Sequence, residues 1–536
     1  MTGPVLTLDR LGVRLPPGAD RSHALQDVSL AIQPGEILCV VGESGSGKSM
    51  TANAVMRLLP VGVAIDGGRV LFEGRDLAVL PEAEMRAVRG AGVAMIFQEP
   101  MTALNPLRTI GDQIGEMFGI HADLPRQQVA TRVRALLEEV RIPDPERAAR
   151  AYPHELSGGQ RQRAMIAMAL ALDPRVLIAD EPTTALDVTT QAQILALIRD
   201  LQRRKGTGVL FITHDFGVVA EIADRVAVMQ HGRVVEEGPA AEILQRPQHP
   251  YTRQLIAAVP PLRAPPPRPL AEDAVLTIRN LSKTYRTGGF LGRGARVTHA
   301  VRDVSLRLPR GGTLGIVGES GSGKSTLARC IVRLIDPDQG SVELGGADLA
   351  HLSRAEMRRQ TRHIQMVFQD PFGSLNPRRR AGELVAQGPM VHGASRADAM
   401  ARARALFQLV GLDPASVDRF PHEFSGGQRQ RIGLARALAL EPQVLVADEP
   451  VSALDVSVQA QVLALLADLR ARLGISMVFI THDLRVAAQI CDLVAVMKDG
   501  EVVEEGPVAR VFGDPQHPYT RALLDSIPGR GFGAGA

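Results

Sequence analysis

The chain repeats itself, and the repeat constrains its fold more than any other feature: it must contain two copies of one architecture. GESGSGKS stands at 42–49 and again at 318–325. QEPMTALNP at 98–106 is answered by QDPFGSLNP at 369–377, and PHELSGGQRQR at 153–163 by PHEFSGGQRQR at 421–431. VLIADEP (176–182) pairs with VLVADEP (444–450), ITHD (212–215) with ITHD (480–483), and PQHPYTRQL (247–255) with PQHPYTRAL (515–523). From SGGQ onward each pair is offset by 268 residues (157 to 425, 180 to 448, 214 to 482, 249 to 517), the mark of a duplicated fold. The early offset is larger, 276 (42 to 318), and part of the surplus falls in the Gly- and Arg-rich segment 286–297, expected to be a surface loop.

Between the copies lies PPLRAPPPRPLAED, residues 260–273, with six prolines. Proline lacks a backbone N–H and fixes φ, so this segment favours extended polyproline II and disfavours a helix or central strand. At about 3.1 Å per residue it reaches roughly 40 Å, enough to let two halves meet face to face. The boundaries expected are therefore 1–259, a linker at 260–273, and 274–536, with the HPY tails at 247–259 and 515–528. Within each half, short apolar runs such as 37–41 and 314–317 lead into Gly-rich turns and then helical patterns. That alternation predicts an α/β sheet with crossover helices. The stretches near 110–155 and 380–423 lack strand signals and are expected to form a helical subdomain in each half.

Each half carries GxxxxGK[ST] directly after an apolar strand pattern. Glycines let successive backbone N–H groups curl around phosphate oxygens, and the helix that follows adds positive potential at its N-terminus. The nucleotide-binding candidates are Gly42, Glu43, Ser44, Gly45, Ser46, Gly47, Lys48 and Ser49, and Gly318, Glu319, Ser320, Gly321, Ser322, Gly323, Lys324 and Ser325. Lys48 and Lys324 are expected on the β- and γ-phosphates, Ser49 and Ser325 on Mg²⁺. The apolar runs VLIADE and VLVADE end in paired carboxylates, costly to bury unless they bind a cation or react. Asp180 and Asp448 are therefore expected to hold Mg²⁺ through water, and Glu181 and Glu449 to act as general bases on the attacking water. Gln98 and Gln369 end apolar runs and can sense both the metal and that water. His214 and His482 recur in register after the acid strands and are expected to contact the γ-phosphate. SGGQ opens a further helix in each half, a second anion-binding surface. The economical arrangement is a head-to-tail pair, each ATP held by the phosphate loop of one half and the SGGQ of the other.

Composition narrows the classes. The 61 basic and 58 acidic residues nearly balance, so net charge gives no nucleic-acid signal. The three cysteines, Cys39, Cys330 and Cys491, are scattered, which argues against a disulfide framework, a zinc site or an iron–sulfur cluster. No apolar run approaches the 18–20 residues of a membrane span, and the first residues show no secretory signal, so the chain is expected in the cytoplasm.

These motifs, in this order and over essentially the whole chain, resemble the ATP-binding cassette superfamily. The resemblance implies two P-loop NTPase nucleotide-binding domains in tandem, each with a RecA-like α/β core, an antiparallel β subdomain and a helical subdomain. It places Lys48 and Ser49 in one site with Ser425, Gly426, Gly427 and Gln428, and Lys324 and Ser325 in the other with Ser157, Gly158, Gly159 and Gln160. Asp187 and Asp455 would contact across the seam. Both sites keep every motif residue, so both are expected to hydrolyse ATP. Asn105–Pro106, Asn376–Pro377 and the HPYTR tails (249–253, 517–521) resemble importers of peptides, nickel and glutathione, and the fused cassettes resemble glutathione and oligopeptide importer ATPases. Partners implied are two transmembrane permease subunits and an extracytoplasmic binding protein, with one chain per transporter at the cytoplasmic face of the bacterial inner membrane and no nucleic acid. Tandem-cassette ATPases of ribosomes or DNA repair are the competing class. They are disfavoured by the short Pro-rich linker and the scarcity of cysteine. Two departures stand out. Tyr285 fits the adenine-stacking aromatic of the second half, whereas Leu15 occupies that register in the first. Both tails lack the cysteine cluster that some peptide-importer ATPases carry, so no iron–sulfur cluster is expected.

Overall fold

The computed structural model describes residues 3–122, 124–184, 186–287, 296–452 and 454–530. The chain divides into two compact units, one formed by residues up to 186 with 190–259 and 528–530, the other by 187–189 and 260–527. Each is built from the same parts.

In the first unit a six-stranded sheet runs in the order Arg233–Pro239, Arg225–Gln230, Ile37–Val41, Gly208–Ile212, Val176–Asp180, Val93–Ile96. All neighbours are parallel except the edge strand Arg233–Pro239. Ile37–Val41, Val176–Asp180 and Gly208–Ile212 are buried at every residue. That is why they read as unbroken apolar runs: a parallel strand covered on both faces has no polar side to show. Alternate side chains feed two cores, as the period of two requires. Cys39, Val41, Leu177 and Phe211 join the core beneath the helices. Leu38, Val40, Ile178 and Leu210 join a second core that also holds Leu6, Leu8 and Leu30 of the antiparallel sheet. That sheet orders His23–Ile32, Leu6–Arg14, Ala64–Phe72 and Arg75–Asp76. Helices Ile110–His121, Arg126–Glu139 and Pro145–Arg150 make the helical subdomain expected near 110–155.

The second unit repeats this plan: Ile364–Val367, Val444–Asp448, Ser476–Thr481, Thr313–Val317, Leu493–Lys498 and Glu501–Pro507 form its six-stranded sheet. Helices Ala381–Val391 and Arg396–Leu409 supply its helical subdomain.

One sequence expectation is revised here. The segment 286–297 is not simply a loop. It extends a hairpin whose strands, Ala274–Thr287 and Arg296–Pro309, pair as far out as Thr287 with Arg296. The rest of that segment, 288–295, lies outside the described residues. The Pro-rich segment 260–273 carries no helix or strand, as proline dictates, and it is fastened to the second unit. Arg268 grips Asp492 through Nε and Nη2, both at 2.6 Å, and donates to the Gly311 carbonyl at 2.7 Å. Gln489 Nε2 donates to the carbonyls of Pro261 and Arg263, and Leu262 and Ala264 pack on the second unit's core.

Candidate active site

Four neighbouring parallel strands of the first unit end on one side of the sheet, and the candidate residues stand just past those ends. Loop 42–47 follows Ile37–Val41, Gln98 follows Val93–Ile96, Glu181 follows Val176–Asp180, and His214 follows Gly208–Ile212. The carboxyl ends of parallel strands are where α/β folds open a crevice.

The phosphate loop needs its glycines for space as much as for torsion. A Cβ on Gly42, at φ 152°, would sit 2.3 Å from the Met229 carbonyl oxygen. Helix Lys48–Met56 begins at Gly47, whose left-handed φ of 109° turns the chain from loop to helix. Lys48 Nζ donates to the carbonyls of Gly42 and Glu43, at 2.8 and 2.9 Å. Ser49 Oγ donates to Asp180 Oδ1 at 3.0 Å. Burial pushes the Asp180 carboxyl up to about 6, with Ser49 and Lys48 opposing it and the adjacent Glu181 charge adding to it.

Glu181 is the hub. Its φ of 46° is a left-handed conformation that non-glycine residues rarely adopt, and Glu449 repeats it at 45°. Backbone strain of this kind persists only where the surroundings impose it, and it gathers at functional sites. Gln98 Nε2 donates to Glu181 Oε2 at 2.9 Å, Thr184 Oγ1 donates at 3.0 Å, and His214 Nδ1 lies 3.3 Å from Oε1. Burial raises the carboxyl, but the His214 hydrogen bond and charge, with Lys48, outweigh it and hold Glu181 well below the usual carboxylate range. Burial lowers His214, and its bond to Glu181 more than reverses that, so its net shift is upward. The histidine is therefore anchored to the acid.

The second unit reproduces each contact. Lys324 Nζ meets the carbonyls of Gly318 and Glu319 at 2.8 and 2.7 Å, and Ser325 Oγ meets Asp448 Oδ1 at 3.0 Å. Gln369 Nε2 meets Glu449 Oε2 at 2.8 Å, and His482 Nδ1 lies 3.3 Å from the same carboxylate. A cavity of about 460 Å³ is lined by Thr298, His299, Lys324, Ser325, Gln369 and Glu449. Tyr285 pairs with Thr298 across the hairpin, which puts it beside that cavity. In the first unit Leu15 donates its N–H to the Ser22 carbonyl. Ala24 and Ala300 occupy matching places against Gly47 and Gly323, so Ser22 matches Thr298 and Leu15 matches Tyr285.

Ser157–Gln160 and Ser425–Gln428 form capping boxes at the starts of helices Gly158–Leu170 and Gly426–Leu438. Gly159 and Gly427 are demanded by packing: a Cβ there would meet Thr190 Cγ2 at 2.7 Å and Val458 Cγ1 at 2.4 Å. Gly158 and Gly426 have open space around them, so their own unit does not require glycine. Asp455 caps helix Val456–Leu473 by accepting the Val458 N–H, and Asp187 is buried.

Sequence reasoning missed several groups. Thr184 on Glu181 is one. Arg21 is another: its Nη2 donates to the Gly45 carbonyl of the first phosphate loop. The tail tyrosines are a third, for the hydroxyls of Tyr251 and Tyr519 accept the N–H groups of Glu43 and Glu319 at 3.1 and 3.2 Å. The repeated HPYTR is the visible signal: as a subfamily mark and as a turn that docks a C-terminal helix it points to the tail, but not to the phosphate loop.

Comparison with known proteins agrees with this geometry. The family model described as ABC transporter matches residues 25–184 and 301–452. The model described as oligopeptide/dipeptide transporter, C-terminal region, matches 235–284 and 503–534. The glutathione import ATP-binding protein GsiA of Escherichia coli (strain K12) is 48% identical over 559 residues, covering 98% of this chain and 90% of that protein. The peptidoglycan transport ATP-binding protein YejF of Agrobacterium fabrum is 48% identical over 528 residues, covering 98% and 96%. A solved dimeric bacterial ABC transporter cassette is 31% identical, covers 44% of this chain and 98% of its own, and superposes with a TM-score of 0.40. With two complete cassettes and near full-length relatives, the chain belongs to the ABC transporter family as a tandem-cassette ATPase.

Proposed function

We propose that the chain is the energy-coupling subunit of a bacterial importer whose cargo is a small peptide or glutathione. The observation that carries the reading is that both units hold the whole constellation at matching distances: Ser–Asp at 3.0 and 3.0 Å, Gln–Glu at 2.9 and 2.8 Å, His–Glu at 3.3 and 3.3 Å. Neither site has lost its acid, so both are read as hydrolytic. The paired HPY tails and the printed names of the relatives support the cargo class. Nickel or another small solute is the second reading, since the resemblance of the tails extends to nickel importers.

In the chemistry we infer, a water oriented by Glu181 or Glu449 attacks the γ-phosphorus of ATP in line. The bond to the ADP oxygen breaks as the new one forms. Lys48 or Lys324 and the loop N–H groups carry the charge that develops on the phosphate oxygens. Ser49, Asp180 and Gln98, and their counterparts Ser325, Asp448 and Gln369, present the hydroxyl, carboxylate and amide oxygens that suit Mg²⁺. Burial has raised Asp180, so a cation there would relieve a real electrostatic penalty. When bound, the metal supplies neutralisation of phosphate charge.

Among the described residues no helix is long and apolar enough to cross a membrane. The reading therefore needs two permease subunits and an extracytoplasmic binding protein, with this chain peripheral on the cytoplasmic face.

The test is uptake of labelled dipeptide, oligopeptide, glutathione and nickel in a strain lacking the gene, complemented with wild type or with Glu181→Gln/Glu449→Gln. One cargo accumulating only with wild type supports the proposal. Uptake undiminished by the double variant overturns it.

A further inference from the structure

The two tails do something that neither the family match nor the catalytic constellation requires. In each unit a helix of eight residues, Pro250–Ala257 or Pro518–Asp525, begins at the HPY sequence. Proline takes the first turn, where its missing N–H costs nothing. The ring Nδ1 of His249 accepts the Tyr251 N–H at 3.2 Å, and that of His517 accepts the Tyr519 N–H at 3.1 Å. The approach to the helix is fixed by one carboxylate in each unit. Glu236 accepts the N–H groups of Gln248 and His249 at 2.7 and 3.1 Å, and Glu504 those of Gln516 and His517 at 2.9 and 3.1 Å. Leu255 in one tail, and Leu523 and Leu524 in the other, are buried in their units' cores.

All of this aims one hydroxyl. Tyr251 Oη accepts the N–H of Glu43, 208 residues away, and Tyr519 Oη accepts the N–H of Glu319, 200 residues away. The same Glu43 and Glu319 carry the carbonyls that accept from Lys48 and Lys324. The second residue of each phosphate loop is thus held through its N–H by the tail tyrosine and through its carbonyl by the loop lysine. The contact recurs in both halves, on the same motif residues.

We propose that the tyrosine of each HPY tail is a positioning residue for the phosphate loop of its own half, so that tail docking and nucleotide binding are thermodynamically linked. The tail orients a loop N–H, the oriented loop binds ATP more tightly, and by reciprocity bound ATP holds the tail down. The proposal rests on the loops being the ATP sites.

The experiment uses the purified full chain, with Tyr251→Phe/Tyr519→Phe removing the hydroxyls and keeping the rings. Equilibrium binding of ATP, KM and kcat of hydrolysis, and deuterium exchange of residues 246–259 and 514–527 with and without ATP are measured. One hydrogen bond per site corresponds to about fivefold. ATP affinity should fall, and KM rise, by about that factor with kcat held within about twofold. ATP should slow tail exchange in wild type and do so less in the variant. A purely structural role would lower the melting temperature and kcat together and leave KM in place. Leu255→Ala/Leu523→Ala, which loosens the tails and leaves the hydroxyls, should shift KM in the same direction. Lys48→Ala/Lys324→Ala separates the two layers of argument. If these variants bind ATP like wild type, the site reading fails and the proposal with it. If they lose ATP while the tyrosine variants match wild type in KM and tail exchange, the proposal alone is overturned.

Discussion

Replacing His214 and His482 by alanine tests what the structure says about the acids. Glu181 and His214 side chains are 11% and 26% exposed, and Glu449 and His482 are 13% and 20% exposed, so solvent screens these pairs only partly. A hydrogen bond to a charged group in such a setting is worth about 1.5–3 kcal/mol. At about 1.4 kcal/mol per pKa unit, its loss lifts each carboxyl by about one to two units. The sign follows from the causes. Burial pushes Glu181 up and the histidine pulls it down, so removing the histidine leaves burial less opposed and protonation begins at higher pH. In wild type the histidine is itself raised, so the pair persists to higher pH than an ordinary imidazole would allow and dissolves as pH climbs past the histidine's raised value. The assay is kcat at saturating ATP from pH 3.5 to 8.5, expressed as the ratio of variant to wild type so that titrations common to both cancel. Glu181, held at about 2 in wild type, would rise to about 3–4, so the ratio should be level above about pH 5 and fall as pH drops below it. A ratio that stays flat across the whole range refutes the reasoning, because the histidine would then act without setting the carboxyl.

Other perturbations read separate parts of the architecture. Tyr285→Ala should weaken ATP at the second site about fivefold and Leu15→Tyr should strengthen the first, since aromatic stacking is worth about 1 kcal/mol; titration with a fluorescent ATP analogue resolves both. Gly42→Ala forces a Cβ to within 2.3 Å of the Met229 carbonyl. At a cost of about 2 kcal/mol it should lower the first unit's melting temperature by about 4–8 °C, read by calorimetry. Burial raises Glu236 and Glu504, but the Thr252 and Thr520 hydroxyls together with two backbone donors at each outweigh it and hold them low. Tail docking should therefore be complete above the ordinary glutamate value of about 4.3 and be lost as pH falls through the depressed one, visible as protease cutting near 246–259. Arg268→Ala frees the linker from Asp492. The arginine is 38% exposed, so stability should drop by no more than about 1 kcal/mol, while protease cleavage within 260–273 accelerates several-fold.

Much of this molecule could be read from its residues because the informative features are local. A phosphate loop is eight consecutive residues between a strand and a helix, and both copies fold as that pattern demands. The parallel strands announced themselves as apolar runs because both of their faces are covered. Duplication did the rest, since a constant offset of 268 residues cannot arise from unrelated folds. What the sequence could not decide is which distant residues meet. Strand order across the sheet brings Ser49 to Asp180 over 131 residues and Glu43 to Tyr251 over 208. It depends on how crossover helices pack, which no local pattern encodes. The same holds for the pairing of His214 with Glu181, and for a linker whose composition predicts extension but not the arginine that fastens it. Composition and spacing determined the elements and their chemistry. The tertiary structure alone determined the directions in which side chains point, because those are fixed by packing against chain far away in sequence.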